Sequence, residues 1–165
     1  MGAKAGLSVE EYLHSSFPDL DREYRNGELV ERTLPDYLHG KTQLLLAMFF
    51  GLLRKHLAIF PCTETRMKVN VGHYVIPDLA VFWPDEPPRV PETPPLAVIE
   101  ILSPDDRMSE VRLKLEEYRN WGVPHVWLVD PHSQRMYSCE TGLTETVCLK
   151  IPELGIEVTP ADVFE

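Results

Sequence analysis

Two almost wholly apolar runs, Leu96-Ala-Val-Ile-Glu-Ile-Leu102 and His125-Val-Trp-Leu-Val129, are separated by a single amphipathic segment. Runs of this kind are strands buried on both faces. A helix between them makes them parallel neighbours, joined by a right-handed crossover in the middle of a sheet. The intervening segment carries its own signals. Ser103-Pro104-Asp105-Asp106 offers a capping serine, a proline for the first helical position and acids for the first turn. Met108, Val111, Leu115, Tyr118 and Trp121 then recur at helical spacing, and Gly122 with Pro124 ends the element. The pattern predicts a helix from Asp105 to Trp121.

The remaining elements follow from local pattern. Ser8 with Glu11 forms a capping box, so a short helix is expected over Val9 to His14. Asn26-Gly27 between short alternating segments is a hairpin turn, with strands over Glu23 to Arg25 and Glu28 to Arg32. Leu45, Met48, Phe49, Leu52, Leu53 and His56 predict a long helix from Asp36 to about Phe60. Thr63 to Val71, Tyr74 to Trp83, Arg135 to Ser138 and Glu145 to Leu149 read as further strands. A proline-rich link from Pro84 to Pro95 excludes regular structure there. The expected architecture is one mixed α/β domain over residues 1–165, a central mixed β-sheet flanked by helices, with an N-terminal β-hairpin.

Charge and motifs narrow the function. The formal net charge of −10 argues against sequence-blind affinity for nucleic acid, which rests on Lys and Arg neutralising phosphates. Cys62, Cys139 and Cys148 lack zinc-site spacing and read as reduced thiols of a cytoplasmic protein. Met1 to Gly6 has no apolar core of a secretory signal. The apolar run Leu44 to Leu53, bounded by Lys41 and Arg54, is far short of the ~20 residues that span a bilayer. No Gly-x-Ser-x-Gly elbow, His-Glu-x-x-His pair or phosphate-binding glycine loop occurs.

The informative residues are those that break the apolar pattern. Val75 to Trp83 carries one charge, Asp78, and Leu96 to Leu102 carries one, Glu100. An ionised carboxylate in a central strand costs several kcal/mol unless it is paired or bound to a cation. Two of them on consecutive strands also repel. A divalent ion removes both penalties, and magnesium prefers a few carboxylate oxygens while keeping waters for a substrate phosphate. A single such acid is more often in an ordinary ion pair or at an exposed strand end, but two of them with a lysine nearby favour the metal. Lys114 falls inside the apolar stripe of its helix, so its ammonium either leans toward the sheet or pairs with Glu110 one turn earlier.

Taken in order, these residues resemble a family. Pro77-Asp78, Glu100 and a following helix with Lys114 are similar to the PD-(D/E)XK nuclease superfamily and its restriction-endonuclease-like core. Tyr24-Arg-Asn-Gly-Glu-Leu-Val30, His39, Ile76-Pro-Asp-Leu-Ala-Val81, Ile99-Glu-Ile-Leu-Ser-Pro104, Lys114 with Tyr118, and Gly122-Val-Pro-His-Val-Trp-Leu-Val-Asp-Pro131 resemble, more narrowly, the Uma family of putative restriction endonucleases. The resemblance implies a DNA endonuclease dependent on Mg2+, with Mn2+ as a substitute. Asp78, Glu100 and the backbone carbonyl of Ile101 would hold the metal, and Lys114 would assist the attacking water. Glu28 and His39 match positions that the family also fills near the metal. The sequence departs at Leu102, where the superfamily motif has its lysine. The competing reading is a catalytically weak nuclease fold serving as an interaction or regulatory module. Arg54, Lys55, Arg66, Lys68 and Arg107 are candidates for DNA contact, and the apolar first long helix allows a homodimer.

Overall fold

The computed structural model describes residues 6–18 and 21–165, so the reading of Met1 to Ala5 falls outside it. In chain order the elements are α1 (Val9–His14), β1 (Glu23–Arg25), β2 (Glu28–Val30), α2 (Tyr37–Leu53), β3 (Phe60–Thr63), β4 (Met67–Asn70), β5 (His73–Val75), β6 (Leu79–Phe82), β7 (Ala97–Ile101), α3 (Met108–Trp121), β8 (His125–Asp130), β9 (Arg135–Ser138), β10 (Thr144–Thr146), β11 (Leu149–Ile151), β12 (Ile156–Val158) and α4 (Pro160–Phe164).

The large sheet has the order β10-β9-β8-β7-β6-β3, and β7 and β8 are its parallel pair at the centre, as the apolar runs predict. Side chains alternate between its two faces. Leu79, Val81, Ile99, Trp127 and Val129 pack against Leu46 and Phe50 of α2. Ala80, Phe82, Val98, Val126 and Leu128 pack against Leu115 and Tyr118 of α3. The same parity sends Asp78 and Glu100 to the α3 side. A smaller antiparallel sheet, β2-β1-β5-β4, stands beside this core. It leans on α1 through a cluster of Tyr12, Tyr24 and Tyr74. Gly27 takes φ 94°, the left-handed turn conformation that the Asn-Gly hairpin requires.

Several boundaries differ from expectation, each for a tertiary reason. The long helix stops at Leu53, because Phe60–Thr63 pairs as a strand with β6 instead of continuing the helical pattern. Tyr74 to Trp83 is two strands in two sheets, broken at Pro77, which has no N–H for a ladder. Helix α3 starts at Met108, since Ser103 and Asp106 first close a turn on each other. Glu145 to Leu149 likewise divides between β10 and β11. No helix among the described residues is long and apolar enough to cross a membrane.

Candidate active site

The break at Pro77 creates the site. Ile76 leaves the ladder with its backbone groups unpaired, and side chains from elsewhere satisfy them. Its N–H donates to Glu23 Oε1 (3.2 Å), and its carbonyl accepts from Lys114 Nζ (3.2 Å). Asp78 follows just before β6, one step beyond the Leu79–Ile99 pair, which brings it beside Glu100 near the end of β7. Both acids are buried, and both line one cleft of ≈ 640 Å³ with Glu23, Arg32, His39, Glu64, Ile101 and Lys114.

Lys114 reaches the sheet. Its ammonium lies 2.8 Å from Glu23 and 3.1 Å from Glu100, so the pairing with Glu110 does not form. Burial disfavours the ammonium, but Glu100, Glu23 and Asp78 outweigh it and hold Lys114 protonated well above its ordinary range. Glu100 also accepts from Tyr118 Oη at 2.7 Å. Its burial, opposed by Lys114 but reinforced by Asp78, pushes the carboxyl up to about 7. Asp78 is held low: burial opposes ionisation, but His39, Lys114 and Arg32 overcome it. Its Oδ2 accepts the Ile101 N–H at 2.7 Å and its Oδ1 accepts Arg32 Nη2 at 2.7 Å.

His39 sits on the first turn of α2, where Asp36 caps the helix by accepting the His39 N–H. Its Nε2 is 3.6 Å from Asp78 and its Nδ1 is 3.0 Å from Ser103 Oγ. Burial lowers its basicity, yet Asp78 more than compensates and the imidazole titrates above its usual value. Ile101 lines the cleft, with its amide engaged by Asp78. Leu102 lines it too, in the place of the motif lysine.

Glu28 is the exception among the expected residues. It lies outside the cleft and exposed, opposite Arg25 at the turn end of the hairpin. Strand residues two apart are separated by roughly 7 Å. Val30, opposite Glu23, is the β2 residue that reaches the cleft. Glu23 supplies the buried hairpin carboxylate instead. Sequence reasoning also passed over Arg32, Gln43 and Glu64. Gln43 Nε2 donates both to Glu64 Oε1 (2.7 Å) and to the Asp78 carbonyl (2.9 Å). Glu64 pairs with Arg32 and holds φ 51°, a conformation uncommon outside glycine. That backbone turn is the one local sign of a special role, and it is written in the fold, not in the residue types.

The charge balance bears on a metal. Within this cluster Glu23, Glu64, Asp78 and Glu100 face the cations Arg32 and Lys114. Arg25 touches Glu23 as well, but it shares itself with Glu117. With Glu100 ionised, two negative charges are left over; burial first and then Asp78 raise the proton affinity of Glu100, and Asp78 raises that of His39. A divalent cation fits that deficit. Among the described residues no group of three or more His, Cys, Asp and Glu side chains is arranged to hold a metal. A two-carboxylate site suits an ion that keeps several waters, such as magnesium, and not a structural zinc. Of the expected DNA-contacting residues, Arg66 lies over the Tyr12 ring and Lys68 pairs with Glu92, so both are engaged within the protein.

The family profile described as Uma2, putative restriction endonuclease, matches residues 9–164. A crystal structure of a putative nuclease belonging to DUF820 from Anabaena variabilis superposes with a TM-score of 0.77 at 20% identity. The match covers 95% of this chain and 97% of that one. At that identity the likeness concerns the fold. No curated protein matches the chain.

Proposed function

The chain belongs to the Uma2 family of putative restriction endonucleases, and on that premise we propose that it is a magnesium-dependent endonuclease hydrolysing phosphodiester bonds in DNA. The observation that carries this reading is the convergence of Asp78, Glu100 and Lys114 on one cleft, with an excess of negative charge around them.

Asp78 and Glu100, with the Ile101 carbonyl, are the residues that would hold Mg2+ or Mn2+. A metal bound there would lower the pKa of a water and polarise a phosphoryl oxygen. Lys114 is an ammonium in this setting, so it donates hydrogen bonds and positive charge and does not take a proton from the water. Its place beside Glu100 suits stabilising charge that develops on the phosphate. Tyr118 fixes the rotamer of Glu100, and His39 with Ser103 braces Asp78. Glu23 holds Lys114 from its far side.

The competing reading, a weakly catalytic module, is favoured by the Arg32 guanidinium already on Asp78 and by Leu102 at the motif position. Calorimetric titration of Mn2+ into wild type, Asp78→Ala and Glu100→Ala, followed by plasmid and single-stranded DNA assays, separates the two. Binding in wild type, lost in both variants, together with metal-dependent cleavage, supports the enzyme. Binding without cleavage of any nucleic acid would favour the module.

A further inference from the structure

Arg32 lies between a buried acid and a rim acid. Its Nη2 donates to Asp78 Oδ1 at 2.7 Å, while its other terminal nitrogen pairs with Glu64. The Asp78 side chain is 3% exposed and that of Glu64 is 40% exposed, so the guanidinium connects the floor of the cleft to its mouth. The second Asp78 oxygen, Oδ2, accepts the backbone N–H of Ile101, whose strand position is fixed by the sheet. Oδ1 is the Asp78 oxygen whose partner, the Arg32 side chain, can move aside for an entering ligand.

We propose that Arg32 is the counter-ion of Asp78 in the metal-free protein, released when a divalent ion takes Oδ1 and then held at the cleft mouth by Glu64 to meet a substrate phosphate. This rests on the metal-site reading above and extends it. The Arg32 guanidinium and a divalent ion cannot share one carboxylate oxygen at close range without strong like-charge repulsion. Glu64 offers the retreat. It is pinned by Gln43, which also holds the Asp78 backbone, so the rim acid stays in place when Asp78 changes partner. A guanidinium is the side chain best shaped to grip a phosphate through two parallel N–H bonds. Its position at the mouth also places positive charge where an acidic cleft otherwise has little.

The test is Mn2+ calorimetry at pH 8 on the full chain, comparing wild type with Arg32→Gln. Removing one charge-assisted hydrogen bond from the metal-free protein should tighten Mn2+ binding about tenfold. In the metal-loaded state the same variant should bind a non-hydrolysable phosphorothioate oligonucleotide more weakly, by about tenfold. Arg32→Lys, which keeps charge without the fork, should fall between the two. Should Arg32→Gln fold poorly, Glu64→Gln gives the second measurement. Without its rim partner Arg32 should stay on Asp78, and Mn2+ should bind more weakly than in wild type. Wild type that binds no divalent ion would sink both this inference and the metal site. Wild type that binds, with Arg32→Gln binding no tighter, would overturn the counter-ion role alone. Unchanged oligonucleotide affinity would overturn the phosphate role.

Discussion

Lys114 Nζ lies 3.1 Å from Glu100 Oε1, although fourteen residues and a change of element separate them in the chain. The motif spacing would put a lysine two residues after the glutamate, on the same strand and the same face. Here Leu102 fills that strand position, and the ammonium arrives from the middle of α3. A helix residue inside an apolar stripe can do this because its stem packs while its head finds carboxylates.

Removing that ammonium leaves Glu23 and Glu100 buried without their common partner. Lys114→Met should lower stability by about 3–5 kcal/mol near pH 8, the usual cost of stranding a buried charge. The loss should shrink as the pH falls through 7 and Glu100 takes up a proton. Denaturant unfolding at pH 6 and pH 8 checks both parts, and an equal loss at the two values would contradict the pairing.

Metal affinity should depend on pH with a defined sign. The folded protein raises Glu100 to about 7, so its neutral form is favoured there. Stability from that proton is present below the unfolded carboxylate value and is lost as pH rises through 7. A metal needs the ionised carboxylate, so a proton must leave first. Below pH 7, apparent Mn2+ affinity should fall about tenfold per pH unit. Above it the affinity should level off. Calorimetry at pH 6, 7 and 8 measures this, and a flat profile would remove Glu100 from the ligand set.

The two hairpin acids should behave differently. Glu23→Gln removes a buried partner of Lys114 and of the Ile76 N–H, and should cost about 1–3 kcal/mol. Glu28→Gln, exposed beside the turn, should change stability by less than about 0.5 kcal/mol and leave DNA cleavage unchanged. Thermal melts and plasmid assays distinguish them, and a cleavage defect in Glu28→Gln would return that residue to the site.

The outer face of α2 exposes Tyr37, Leu44, Met48 and Leu52 in one helical stripe. A second copy packed antiparallel would set Leu52 over Gly40, where there is open space, and Met48 beside Leu44. It would also bring the exposed Arg54 and Lys55 to the end marked by Asp36 of the other copy. That self-complementarity is what a two-fold contact needs. Sedimentation should show a dimer that becomes monomeric in the double variant Leu44→Asp, Met48→Asp. A monomeric wild type at high concentration would refute it.

The sequence alone determined the centre of this protein. Two short apolar runs flanking one amphipathic, capped segment read as strands covered on both sides with a crossover helix between them, so β7, α3 and β8 followed from composition and spacing. Lone charges in such runs stand out for the same reason, which made Asp78 and Glu100 visible. What surrounds them was decided in three dimensions. Pro77 splits one apparent strand between two sheets, and the freed backbone of Ile76 is met by Glu23 and Lys114, from distant elements. Arg32, Gln43 and Glu64 look like ordinary solvated residues in the chain. Only the folding of the β2–α2 link, α2 and the β3–β4 turn around Asp78 turns them into its partners, because ion pairs depend on proximity in space, which no periodicity of the sequence encodes.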